Sequence, residues 1–527
     1  MRRFLSLAAM AFVITRPARA QSFPTNDPVL RRIWALAMDS SQTYQLAQAL
    51  MDSVGPRLTG TPQQRAGVDW LLSKYRAWGI NARSEQYGTW RGWRRGISHV
   101  DLIQPRVRSL EGMALAWSPG TPRGAPVDAA TIILPNVQSQ AEFESWLPQA
   151  RGKIVLVSMA QPTCRPDDNW RQYADTASFT RMRDQRAEMT RAWTQRLLRA
   201  SGDTTAGFAM RTLAPKLEAA GARAIISHLW SQGWGVDKIF NARSNLIPTI
   251  DLSCEDYGLV YRLTENRQNP VLRIQAESES LGEVPVFNVI AEIKGGQNPN
   301  EYVFLSAHFD SWDGSSGGTD NGTGTITMLE AMRILRQVYP NPKRTIIVGH
   351  WSGEEQGLVG SRAFAADHPE IVRGLQALFN QDNGTGRVVN VSASGLLDAT
   401  SNLAGWLTRI PREITRNITF GFAGSPAGGG SDNASFACYG APAFGLGSLS
   451  WEYGTYTWHT NRDTFDKIVF DDLKNNVVLT AMLAYLASED PTTLSRARAN
   501  IFNPFNGRPG EWPQCTTPPR KSSEWTR

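Results

Sequence analysis

From Phe287 onward, short apolar runs alternate with amphipathic helical stretches, and this alternation constrains the fold more than any other feature of the chain. The strand candidates are 288–293, 302–307, 345–349, 377–380 and 443–446. Between them, a helix over 325–338 places Met328, Leu329, Met332, Leu335 and Val338 on one face. Strand and helix in turn are the pattern of an α/β fold with a mixed, largely parallel central sheet flanked by helices.

The 527 residues are ample for more than one core, and 41% apolar with 20% charged residues is ordinary for a folded protein, so disorder is not the default. Residues 29–87 read as helical, with amphipathic stretches at 43–51 and 66–78 around the turn-rich loop Gly55-Pro56-Arg57-Leu58-Thr59-Gly60. A second region, 107–276, holds short strands at 130–134, 153–157, 224–227, 248–252 and 271–274. Within it, 167–208 is polar, Arg-rich and helical in character, as expected of an exposed insertion. The tail 504–527 is rich in Pro, Gly, Ser and charge, and is expected along the surface or without fixed structure.

Residues 1–20 read as a secretory signal peptide: Arg2 and Arg3, an apolar run from Phe4 to Ile14, and Ala18-Arg19-Ala20 as the cleavage site. Export to the periplasm or the medium is therefore expected, with cleavage after Ala20. The apolar run is shorter than the ~20 residues a bilayer requires, so no membrane span is expected. Cleavage removes four arginines and no acid, which brings the net charge from +7 to about +3. With no basic cluster among aromatics, nothing points to nucleic acid. Cys164, Cys254, Cys438 and Cys515 contain no CxxC pair, which argues against a cysteine zinc site. Export permits disulfides; four cysteines allow three pairings, and free buried thiols are an equal alternative.

The chemistry gathers in loops that follow strands, where open α/β sheets bind ligands. His308 and Asp310 end one strand and point the same way. Imidazole is a good zinc ligand, and Asp310 can fix its far nitrogen directly or through neighbouring backbone. Asp320 lies in Gly317-Gly318-Thr319-Asp320-Asn321-Gly322-Thr323-Gly324, a loop open to close backbone approach. An acid at the loop centre with no Lys following favours a cation over a phosphate. Glu354 and Glu355 follow the strand 345–349 and can divide labour between metal and reacting water. Asp382 sits in Gln381-Asp382-Asn383-Gly384, and His459 in Trp458-His459-Thr460-Asn461-Arg462-Asp463. The remaining histidines, His99, His228, His350 and His368, read as structural. Two His and five acids in such loops suit a pair of zinc ions with mixed N/O coordination and a bridging carboxylate.

In this order, the HxD, GGTDNGTG, SGEEQGLVGS, QDNG and WHTNRDTFD motifs resemble the M28 family of zinc metallopeptidases, nearest its plasma glutamate carboxypeptidase branch. The resemblance spans most of the mature chain and implies a phosphorylase/hydrolase-like zinc exopeptidase fold. It divides the chain into 21–106, an inserted β-rich protease-associated (PA)-like domain at 107–276, a catalytic domain at 277–503 and the tail. It implies two Zn2+: His308 and Asp382 on one, Glu355 and His459 on the other, Asp320 bridging. Glu354 would be the catalytic base, Asp310 the partner of His308, and the Asp320-Asn321 peptide cis. The implied substrate is a dipeptide or an unblocked peptide N-terminus, and the branch often forms homodimers. Asn433 stands where relatives often carry His, which puts specificity in doubt rather than the metals. Gly428–Gly430, Tyr453 and Tyr456 are candidate pocket walls. Alternatives on this scaffold are a single-zinc glutaminyl cyclase-like acyltransferase and a non-catalytic binding protein.

Overall fold

The computed structural model describes residues 25–421, 424–499 and 510–525. The signal-peptide reading of residues 1–20 lies outside them. Among the described residues no helix is long and apolar enough to cross a membrane.

The central strands run in the order Ala443–Ser448, Leu375–Asn380, Asn298–His308, Arg344–Trp351 and Val271–Ile293. The first four are parallel, and the last pairs antiparallel with Arg344–Trp351. The strands expected at 302–307, 345–349, 377–380 and 443–446 lie inside the first four, lengthened by two to five residues, whereas those expected separately at 271–274 and 288–293 are the two ends of the single strand Val271–Ile293. Alternation along Asn298–His308 shows how both faces are covered. Val303, Leu305 and Ala307 face the cluster that includes helices Thr323–Val338 and Phe470–Glu489. Phe304 faces the opposite cluster with Trp351, Phe364 and Phe436. Helix Thr323–Val338 is buried almost throughout, and its Glu330 is paired with Arg333 at 2.6 Å.

The N-terminal reading needs one correction. Helices Pro28–Met38 and Pro62–Ala77 form as expected, each with a capping side chain, Asp27 and Thr61, and a proline in the first turn. Helix ends at Ala77, however, and Asn81–Gln104 is a 24-residue strand. It pairs antiparallel with Val271–Ile293 along most of its length. This ribbon runs from the catalytic strands to a further group: Val127–Ile133, Ile154–Leu156, Ala224–Ser227 and Thr249–Leu252, parallel to one another. The Arg-rich stretch is helical, as Asp167–Tyr173 and Thr176–Ser201, and a third helix, Ala206–Ala219, follows. Trp193, Ala200, Leu213 and Leu217 from the two longer helices pack on that second sheet group.

All four cysteines are paired, Cys164 with Cys254 and Cys438 with Cys515. The free-thiol alternative therefore falls.

Candidate active site

Parallel strands that end side by side deliver their following loops to one place. His308 is the last residue of its strand, Glu354 and Glu355 follow Arg344–Trp351, and Asp382 follows Leu375–Asn380. Asp320 sits in the turn 318–322 that opens helix Thr323–Val338, and His459 lies beyond Ala443–Ser448. All five expected ligands, with Glu354 and Asp310, come together.

Two imidazoles stand at the centre of the cluster. His308 Nε2 is 3.2 Å from Asp382 Oδ1 and 3.4 Å from Asp320 Oδ1. His459 Nε2 is 3.0 Å from Glu355 Oε2 and 3.2 Å from Asp320 Oδ2. Asp320 thus turns one oxygen to each histidine. Its peptide bond to Asn321 is cis. Glu354 Oε2 lies 4.0 Å from His308 Nε2, off the shorter contacts. Donor atoms of His308, Asp320 and Glu355, and separately of His308, Glu354 and Asp382, fall within 4.8 Å of one another.

The electrostatics describe a cluster short of positive charge. Burial pushes Glu354 well above the usual carboxylate range and Glu355 to about 7. Burial opposes a charge on His308, but Asp382 and Glu354 outweigh it and hold the imidazole well above its ordinary value. His459 is lifted to about 9 by Glu355 and Asp320 against the same burial. Asp320, although buried, is held low by the two imidazoles. Glu355 Oε1 and His459 Nδ1 are buried without hydrogen-bond partners, and Asp320 Oδ2 has none beyond its contact with His459 Nε2. Unpartnered carboxylate oxygens packed against neutral-capable imidazoles are the donor set a hard or borderline divalent cation satisfies.

Asp310 is fully buried and organises one flank. His308 Nδ1 is 3.1 Å from its carbonyl oxygen and 3.4 Å from its carboxylate. Either acceptor fixes the proton on Nδ1 and leaves the Nε2 lone pair free. The carboxylate also accepts the backbone N–H of Gly353 at 2.9 Å and of Glu354 at 3.4 Å. Gly353 has φ +72°, and a Cβ there would meet the Tyr87 hydroxyl at 2.8 Å, so this turn requires glycine.

Two supporting residues were not given roles from sequence. Asp463 accepts the backbone N–H groups of Thr319 at 2.7 Å and Asp320 at 2.9 Å, and burial lifts it to about 7. Arg57 is wholly buried and donates to the carbonyls of Phe309, Gly55, Ser316 and Gly317, pinning the loop between His308 and Asp320. Both lie in motifs already singled out, but their partners are backbone groups distant in sequence, which no motif displays.

Asp320, Glu354, Glu355, Asp382 and His459 open into a cleft of about 380 Å³ with Tyr453, Trp458, Gly430 and Trp525. Tyr456 lines a neighbouring apolar cavity of about 440 Å³ instead, and the buried Asn433 lines neither. His350 bonds to the Tyr75 hydroxyl, His228 to the Leu252 carbonyl, and His368 to Glu85 and Glu370, away from the cluster.

Residues 288–484 match the family described as Peptidase family M28. Carboxypeptidase Q of Mus musculus is 25% identical over 465 residues, covering 87% of this chain and 88% of that protein. The crystal structure of a peptidase M28 precursor from Shewanella amazonensis superposes with a TM-score of 0.65 at 25% identity, over 89% of this chain and 97% of that one. The structure of BSAP, a zinc aminopeptidase from Bacillus subtilis, shares the fold with a TM-score of 0.55 at 18% identity, over 87% of this chain and 97% of that one. Residues 288–484 match peptidase family M28, and with the carboxypeptidase Q and zinc aminopeptidase relatives this makes the chain a metallopeptidase.

Proposed function

We propose that the chain is a two-zinc exopeptidase that cleaves dipeptides or removes residues from unblocked peptide N-termini. The observation that carries the reading is the Asp320 carboxylate, with one oxygen 3.4 Å from His308 Nε2 and the other 3.2 Å from His459 Nε2. His308 and Asp382 would hold one zinc, Glu355 and His459 the other, with Asp320 between them. The donor set fits: two imidazoles, three carboxylates and buried oxygens without partners. What such ions supply is Lewis acidity, towards the scissile carbonyl and towards the attacking water.

The chain's own groups do the rest. Glu354, kept basic enough to take a proton by its burial, removes one from the attacking water and returns it to the leaving amine. Asp310 aims it by holding the N–H groups of Gly353 and Glu354. The same carboxylate orients His308. A substrate's free α-ammonium is drawn to the acid-rich side formed by Glu355 and Asp320, which favours cleavage next to a chain end. Tyr453 stands in the cleft wall as a hydroxyl for the developing oxyanion.

Two disulfides support an oxidising compartment, in line with secretion or a periplasmic location after cleavage at Ala20. We read 107–276 as the inserted PA-like domain. The test is hydrolysis of a panel of dipeptides, aminoacyl amides and peptides with N-terminal Gln, with and without chelator. Chelator-sensitive release of N-terminal residues is expected. Chelator-insensitive cleavage, or cyclisation of N-terminal Gln at full activity with a single zinc, contradicts the reading.

A further inference from the structure

The segment 510–525 crosses the molecule and ends in the catalytic cleft. Trp512 Nε1 donates to the Ala437 carbonyl at 2.8 Å, and Cys515 is bonded to Cys438. Arg520 forms a two-pronged pair with Asp367 at 2.8 and 2.9 Å, while its carbonyl accepts the N–H of Thr89 at 2.9 Å. The close crossing depends on Gly88, where a Cβ would stand 2.4 Å from the Arg520 carbonyl oxygen. The Ser522 hydroxyl then bonds to Glu283. A segment anchored at so many points delivers its last described residue, Trp525, to a fixed place.

That place is the wall of the cleft that Glu354, Glu355 and Asp382 open into. Trp525 packs on Trp90 and Trp117 with ring centroids 5.6 and 6.1 Å apart. Trp117 meets Trp312 at 6.0 Å, and Trp312 meets His459 at 5.8 Å. This aromatic series links Trp525 to His459, and the two line the cleft together with Glu355. The Arg91 guanidinium lies over both the Trp117 and the Trp525 rings, at 4.3 and 5.5 Å.

We propose that Trp525 is a specificity-determining residue: it walls the pocket for the substrate's N-terminal side chain, which takes large apolar or aromatic groups. The inference rests on the two-metal exopeptidase reading, because that reading brings the free α-amine to the Glu355–His459 side. An indole face offers dispersion and edge-to-face contacts to an apolar side chain. The nearby Arg91 cation disfavours Lys or Arg there. The cleft's volume, near the low end of the roughly 300–1,000 Å³ common for ligand sites, suits a short substrate held by one wall.

The experiment compares kcat/KM for dipeptides beginning with Phe, Leu, Ala or Lys, using the full-length chain, Trp525→Ala and Trp525→Phe. For Trp525→Ala, the Phe-first and Leu-first substrates are expected to fall about tenfold or more relative to the Ala-first one. Trp525→Phe restores most of that preference. Arg520→Ala, which loosens the segment and leaves the indole intact, shifts the preference in the same direction by a smaller factor, and stands in if Trp525→Ala does not fold. A uniform loss across the four substrates, or an unchanged preference in all variants, overturns the proposal. Chelator-sensitive wild-type hydrolysis with such a flat response removes the role of Trp525 alone. A wild type that hydrolyses none of the panel, or all of it in chelator, removes the exopeptidase reading and this proposal with it.

Discussion

His308 and His459 face the same carboxylate but are held in opposite ways. His308 is fully buried at the end of a parallel strand, with Asp310 on its second nitrogen. His459 sits in a loop at φ +57°, and its Nδ1 has no partner. Its position comes instead from the backbone around it, which residues 231–240 grip. Ile239 N donates to the His459 carbonyl at 2.7 Å, and Asn461 and Asp237 exchange backbone and side-chain hydrogen bonds at 3.0–3.1 Å. Lys238 Nζ donates to the Trp458 carbonyl at 2.9 Å. Phe240 meets the imidazole edge-on at 5.0 Å. One half of the cluster is built into the sheet; the other depends on a region more than two hundred residues earlier. Disturbance of that docking should therefore reach His459 before it reaches His308.

The largest effect is expected where both halves serve one group. Glu354→Gln should lower kcat by about 10³-fold, within the usual range for a lost general base, while zinc content measured on the purified protein stays at the wild-type level. Asp310→Asn tests the sheet-built half: activity or metal affinity should fall about 10–100-fold, with the loss confined to one of the two metal equivalents in a zinc titration. Asn461→Ala tests the gripped half. A loss of up to about tenfold in affinity for the other equivalent is expected, with the melting temperature little changed. If Asp310→Asn and Asn461→Ala weaken the same equivalent, the two-halves picture is wrong.

The grip should also respond to pH. Burial lifts Asp237 to about 8, helped by Glu111, Asp256 and Glu255 and opposed by Arg462. The folded state then holds this proton up to about pH 8, whereas the unfolded chain releases it near 3.8. In that window the folded state binds more protons, so the contribution to stability is complete below about pH 4 and is lost as pH rises through 8. Thermal melts between pH 6 and 9 should show wild-type stability declining and Asp237→Asn flattening the slope. An unchanged slope would mean that Asp237 does not carry the dependence.

The same contrast explains what could be read from the chain. Strand ends announce themselves locally, through an apolar run and a turn. His308, Glu354, Glu355 and Asp382 could therefore be found as residues in loops after strands, and the four parallel central strands were located within a few positions, while Val271–Ile293 was legible only at its two ends. The ribbon strand Asn81–Gln104 was hidden because its glycines, arginines and half-exposed faces lack clean alternation, and its partner is Val271–Ile293, far along the chain. The grip on His459, the backbone hold of Asp463 and the arrival of Trp525 in the cleft are contacts between distant segments, which local pattern does not encode. Cysteine pairing was open for the same reason: spacing permits three connectivities, and only the folded chain brings Cys438 to Cys515.

The central claim is that Asp320 joins two metal sites, one on each histidine. Its most direct test is zinc titration of metal-free, full-length protein by calorimetry, with bound metal counted, for wild type, His308→Ala and His459→Ala. Two equivalents for wild type and the loss of a different one in each variant are predicted. A single equivalent in the wild type with full peptidase activity would contradict the account.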